Sequence, residues 1–305
     1  MEYEKRLERK RLILFLTFAI VIGWFVFLLV PFLGLTYGSS LSIIIVMVAM
    51  FVPTLANLLT RWITKEGFGN MYLRPRFKGH LKHYLLIYFG PTVLILLSGV
   101  VYFLIFPGSF DPNFTVIKQI TASTGIPATT YLIISILQMA IIGPIINIIP
   151  TLGEELGWRG YLLPKLRGFF PDWAALIITG AIWGIWHIPV IVMGHNYGTG
   201  YAGYPWLGIL AMIVFCIVLG FIEGYASIKL QSAIPAAMIH STVNAGAALP
   251  IYLATPGFNP VIGPAMTGFV GILPFTIIAA ILLIRISSQK TNINNNKMEV
   301  NSINN

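Results

Sequence analysis

Eight apolar stretches, each roughly 20 residues long and divided from the next by polar breaks, limit what this chain can fold into. They fall at about 12–30, 41–63, 84–106, 131–150, 173–193, 206–228, 233–252 and 261–284. A helix rises about 1.5 Å per residue, so each can cross the roughly 30 Å of a bilayer's hydrocarbon core. The runs are continuously apolar and lack the alternation of barrel strands, which excludes a membrane β-barrel. Only 10% of the residues are charged, against about 25% in a soluble domain, too few to cover a water-facing surface. The expected fold is an all-α, polytopic membrane helix bundle of about eight transmembrane helices. Pro53, Pro91, Pro144 and Pro189 lie within or beside these runs. Neighbouring helices make such prolines tolerable by satisfying the freed carbonyls.

Charge placement tests the count independently. With the amino terminus inside, eight spans put every one of the 19 Lys and Arg except Lys118 on the cytosolic side. That is the positive-inside pattern, and one missed or extra span scrambles it. Both termini are therefore expected in the cytosol. The net charge of +9 follows from these loops and calls for no nucleic acid. The first run is basic in front but lacks a small-residue cleavage site, so it reads as an anchor and not a cleavable signal. Cys216 is the one cysteine, which excludes an internal disulfide or a cysteine metal cluster. Residues 291–305 are rich in asparagine with almost no apolar anchor, and disorder is expected there. The organisation expected is amino-terminal spans over 1–130, a core over 131–252, a last span within 253–286 and a tail over 287–305. The loops at 107–130 and 194–205 fall outside.

Nearly all the ionisable side chains set in apolar sequence belong to three motifs. These are Glu154-Glu155-Leu156-Gly157-Trp158-Arg159, Trp183-Gly184-Ile185-Trp186-His187 and His240-Ser241-Thr242-Val243-Asn244. A charge at a bilayer centre costs about 2.5–3.5 kcal/mol on insertion scales, so such groups face a protein interior. Glu155 and Arg159 are four apart on a helix, in the favourable order. Glu154 is about 100° around from Glu155, has no partner in sequence and is free to act as a base. His240 and Asn244 share one helix face and can reach a common atom. Taken alone, each motif also has a structural reading: a salt-bridge cluster, or a histidine that locks helices together. Taken together, three polar sites on three spans find their cheapest partners in each other. Two carboxylates, two imidazoles and an amide suit the activation of water.

In that order and on successive spans, the EExxxR motif, the aromatic segment ending in His187 and the HxxxN motif resemble the CAAX-processing and bacteriocin-immunity (CPBP) family of intramembrane proteases. Gly153 to Leu162 looks especially like prokaryotic members, and the resemblance covers roughly residues 130–250. The second motif often begins with Phe; Trp183 stands there, and either keeps an aromatic wall. The resemblance implies hydrolysis of a peptide bond in or near the plasma membrane of a prokaryote, on a membrane-associated peptide or a lipidated, for instance prenylated, protein. It implies that Glu154 and His187 activate water, that His240 and Asn244 stabilise the tetrahedral oxyanion, and that Glu155 and Arg159 support them. The chemistry needs a base near the water and preorganised donors for the oxyanion.

Two versions stay open. A zinc site would use His187, His240 and Glu154 with water in the fourth position; alternatively Glu154 activates water with no metal, which we favour slightly. The depths also conflict. His187 lies about 22 Å into a span that starts at Asp172, His240 only about 10 Å into its own, so either the fifth helix begins in the cytosol or the boundaries shift. Two other classes compete. A proton-coupled transporter would relay protons through the intramembrane Glu and His, with Glu223 joining them, but no interrupted helices stand in matching halves. A non-catalytic immunity or scaffold protein would keep the fold and bind through its loops.

Overall fold

The computed structural model describes residues 2–288; the tail over 291–305 lies outside the described residues. In chain order the helices are α1 (Glu2–Phe32), α2 (Ser40–Ala49), α3 (Val52–Ile63), α4 (Leu81–Ile105), α5 (Thr115–Thr121), α6 (Ala128–Leu137), α7 (Gly143–Ile146), α8 (Ile148–Gly157), α9 (Leu163–Leu166), α10 (Asp172–Trp186), α11 (Ile188–Val192), α12 (Trp206–Leu230), α13 (Ile234–Gly246) and α14 (Leu273–Ser288). No strand forms among the described residues beyond one isolated bridge, Phe110 to Ala254. Five segments are long and apolar enough to cross a membrane: α1, α2 with α3, α4, Ala128–Ile146 and α12. α10 and α14 are shorter apolar helices. Outward-facing Phe25, Leu86, Val93, Leu104 and Ile145 are all more than half exposed, an apolar girdle that suits lipid and not water.

Prolines shape the segment from α6 to α9. A proline inside a helix has no N–H to donate, and its ring crowds the carbonyl four residues back. Ahead of Pro144 the helix widens to a π turn at Gln138–Ile142, and ahead of Pro164 to another at Trp158–Leu162. Such turns recur at functional sites, and the second contains Arg159. Ahead of Pro189 the fifth segment breaks at His187, between α10 and α11.

Glycines bring the central helices together. A Cβ on Gly180 would lie 2.6 Å from Ile217 Cα, and one on Gly184 would lie 2.6 Å from Ile213 Cα. α10 therefore meets α12 backbone to backbone, the close approach that small residues four apart permit in membranes. Gly153 and Gly157 do the same for α8 against the α2–α3 junction and the start of α3, where Cβ atoms would sit 2.9 Å from Met50 O and 2.5 Å from Pro53 C. α1 closes one flank with Phe15 and Phe27, which pack edge-on against Trp158 and Trp186.

Two boundaries differ from expectation. The last helix begins at Leu273 and not near 261. Residues 261–272 instead fold back on themselves, with Phe269 N–H donating to Val261 O and Val270 N–H to Ile262 O. Gly263, at φ 145°, turns the chain where side chains are rarely tolerated. The seventh segment is helical only over Ile234–Gly246 and then tightens into a 3-10 turn at Leu249–Leu253.

Candidate active site

Glu154, His187, His240 and Asn244 line one cavity of about 210 Å³, together with Trp183, Phe27, Val46 and Met50. The carboxyl-terminal end of α2, α8, the α10–α11 break, α12 and α13 converge there, with Phe27 from α1. A larger recess of about 470 Å³ lies at the amino-terminal end of α1, among Glu8, Arg61, Glu66, Tyr161 and Lys165. Its acids are already neutralised: Lys165 Nζ sits 2.6 Å from Glu8 and 2.5 Å from Glu66, and Tyr161 donates to Glu66 at 2.8 Å. It ties α1, α3 and α9 together and offers no unspent base.

His187 owes its setting to Pro189. At the break its backbone N–H turns to Gly184 O at 3.1 Å, which frees Trp183 O to meet His187 Nδ1 at 2.8 Å. A carbonyl only accepts, so Nδ1 carries the proton and Nε2 keeps its lone pair. His240 is held differently, with Nδ1 3.0 Å from Glu155 Oε1. Both rings pack against Trp183, at 5.7 Å and 5.2 Å between centroids. Counted by helical rise, α10 starts roughly 13 Å further from His187 than α13 does from His240.

The two glutamates are both buried, Glu154 2% exposed and Glu155 0%. Glu155 pairs with Arg159 Nη1 at 2.8 Å, as the four-residue spacing requires. Glu154 has no cationic partner within ion-pair distance among the described residues, but it is not free. Its Oε2 accepts from Trp183 Nε1 at 2.7 Å and, more weakly, from Trp158 Nε1 at 3.4 Å. Asn244 is exposed at the cavity mouth and makes no side-chain hydrogen bond among the described residues.

Three side chains make contacts that the sequence analysis did not assign to them. Trp183 is a donor to Glu154 and not an interchangeable wall; its indole nitrogen was the available signal. Arg159 stacks on the Trp183 ring at 4.4 Å. Glu223 on α12, 0% exposed, reaches Arg159 Nη2 at 2.6 Å; its signal was an acid alone in an apolar run. The donors that come within 4.8 Å of one another are those of Glu155, Glu223 and His240, not the expected Glu154, His187 and His240. The Arg159 guanidinium lies against both carboxylates of that cluster.

Residues 129–246 match the family described as Type II CAAX prenyl endopeptidase Rce1-like. A curated relative, CAAX prenyl protease 2 of Methanococcus maripaludis, is 41% identical over 44 residues, 14% of this chain and 16% of that protein. The matched stretch is thus a small part of the relative's length. The matched region holds all three motifs and ends just beyond Asn244. Residues 129–246 are therefore similar to that family, in agreement with the resemblance that the motifs carry.

Proposed function

We propose that this protein is an intramembrane endopeptidase that hydrolyses a peptide bond of a membrane-anchored or prenylated substrate, without a metal. The observation that carries the reading is the opposite treatment of the two histidines around one cavity. His187, whose Nδ1–H is spent on a carbonyl, presents an Nε2 lone pair. His240, whose Nδ1–H meets a carboxylate, suits an imidazolium that presents Nε2–H. One side of the cavity thus accepts a proton and the other donates.

Water held between Glu154 and His187 Nε2 attacks the scissile carbonyl and gives its proton to Glu154. The carbonyl oxygen becomes an oxyanion, accepting from His240 Nε2–H and the Asn244 amide. Glu154 then returns the proton to the leaving amine as the C–N bond breaks. The products are a carboxylic acid and an amine, with one water consumed. No step in this proposal passes through a metal; the contact of Arg159 with both carboxylates of the Glu155, Glu223 and His240 cluster supports that reading. The orientation with both termini in the cytosol belongs to this proposal and rests on the distribution of Lys and Arg.

The test is incubation of the purified chain in lipid with a membrane-peptide library, followed by mass spectrometry. Cleavage that survives a strong zinc chelator and disappears in Glu154→Gln is expected. A well-folded parent that cleaves nothing would rule out the protease, and cleavage abolished by the chelator and restored by zinc would rule out the metal-free route.

A further inference from the structure

We propose that Glu223 is a positioning residue for this hydrolysis, splitting the Arg159 guanidinium so that Glu155 stays aimed at His240. The inference rests on the proteolytic reading above and extends it to a residue outside the three motifs.

An arginine fork left with one carboxylate tends to take it with both arms, in two parallel hydrogen bonds. Glu155 would then face Arg159 alone. In this protein the fork is divided: Nη1 lies 2.8 Å from Glu155 Oε1 and Nη2 lies 2.6 Å from Glu223 Oε2. Glu155 Oε1 is consequently shared between Arg159 and His240 Nδ1 at 3.0 Å. The same guanidinium stacks on Trp183, whose indole N–H holds Glu154. Glu223 therefore reaches both sides of the cavity through one cation.

A second feature of α12 points the same way. Gly220, one turn before Glu223 and on the same face, leaves the space that Arg159 occupies; a Cβ there would lie 2.8 Å from Nη2. α12 thus offers both the room and the counter-charge for one guanidinium. Two carboxylates, Arg159 and an imidazolium at His240 form a set of four with no net charge. A carboxylate buried without such a set is costly in an apolar bundle.

The experiment uses the full chain in lipid nanodiscs with Glu223→Gln, Glu223→Asp and Gly220→Ala. Three quantities are measured: kcat and KM on a cleaved peptide, thermal unfolding, and the ¹⁵N imidazole signals of His240 after selective histidine labelling. Glu223→Gln is expected to lower kcat about tenfold or more. KM should hold and the His240 Nδ1–H signal should broaden or vanish. Glu223→Asp keeps the charge but withdraws it, and should fall between parent and Gln. Gly220→Ala keeps both acids and should lower kcat by crowding Nη2.

Parental kcat and parental His240 signals in a folded Glu223→Gln overturn the proposal. If that variant does not fold, the same result in Glu223→Asp overturns it instead, since a purely structural charge would then suffice. The imidazole signals need no substrate. A parent without protease activity would therefore defeat the proposed function while the spectra still decided whether Glu223 holds His240.

Discussion

The Trp183 indole N–H donates to Glu154 Oε2 at 2.7 Å, across 29 residues of sequence and between two helices. This contact, and not a salt bridge, is what holds the candidate base. The geometry leaves Oε1 without a hydrogen bond among the described residues, and the cavity is open to Glu154. One carboxylate oxygen is thus anchored while the other is available to water.

Trp183→Phe is the direct test of that anchor. Phenylalanine keeps the ring against which Arg159 stacks but has nothing to donate. Hydrogen bonds to charged groups contribute about 1.5–3 kcal/mol, so thermal stability should drop by an amount in that range. With Trp158 as the remaining donor, kcat should fall about tenfold, equivalent to about 1.4 kcal/mol of barrier, with KM unchanged. A Phe variant with parental kcat would show that Glu154 needs no anchor.

The buried charges should separate into structural and chemical members. Removing one partner of a buried pair typically costs about 3–5 kcal/mol, because the other charge is left uncompensated. Arg159→Ala leaves Glu155 and Glu223 facing one another and should be the least stable variant. Glu155→Ala leaves Arg159 with Glu223 still beside it and should lose less. Glu154→Gln keeps an acceptor for both indoles and should melt near the parent while hydrolysing almost nothing. Melting curves and cleavage assays on the same preparations check the order. Equal melting losses in all three would show that Glu154 is a structural residue too.

Pro189→Ala probes the break in the fifth segment. Alanine restores a donor and removes the ring's clash with Ile185 O, so the helix can close through His187. The His187 N–H would then compete for Trp183 O with the ring's own Nδ1–H, and the imidazole would lose its fixed tautomer. Activity should fall at least tenfold, while stability holds or rises. A loss of stability in proportion to activity would instead make Pro189 a packing residue.

Periodicity and charge carried the sequence reading far here, because a bilayer leaves few options: apolar runs must be helices, and isolated charges must meet. The meeting of Glu154, His187, His240 and Asn244 was legible for that reason. What the runs did not show is where a helix changes pitch. The π turns before Pro144 and Pro164 and the break at His187 each depend on one missing N–H, which hydropathy does not register. The displaced start of α14 goes with the fold-back of residues 261–272, where Gly263 takes a φ of 145°. Glu223 was visible as an anomaly, yet its partner Arg159 lies 64 positions away, and only the crossing of α8–α9 and α12 brings them together.

The neighbouring contact of α10 with α12 depends on glycine, which gives the last prediction. The Gly180 Cα lies 3.3 Å from where a Gly220 Cβ would stand, and a Gly180 Cβ would lie 2.6 Å from both Cys216 O and Ile217 Cα. The obstacle is backbone, so α10 and α12 must part to admit even a methyl group. Overpacking of this kind costs about 1–3 kcal/mol. The parting also moves Trp183 and Glu223 relative to each other, and with them both contacts of Arg159. Gly180→Ala should therefore lower melting temperature and kcat together. Gly69→Ala, at a site with no atom within 4 Å of the added Cβ, should change neither. Melts in detergent and cleavage rates on the two variants compare them directly. A Gly180→Ala protein as stable and as active as the parent would mean that the helices are not held at this distance in the membrane.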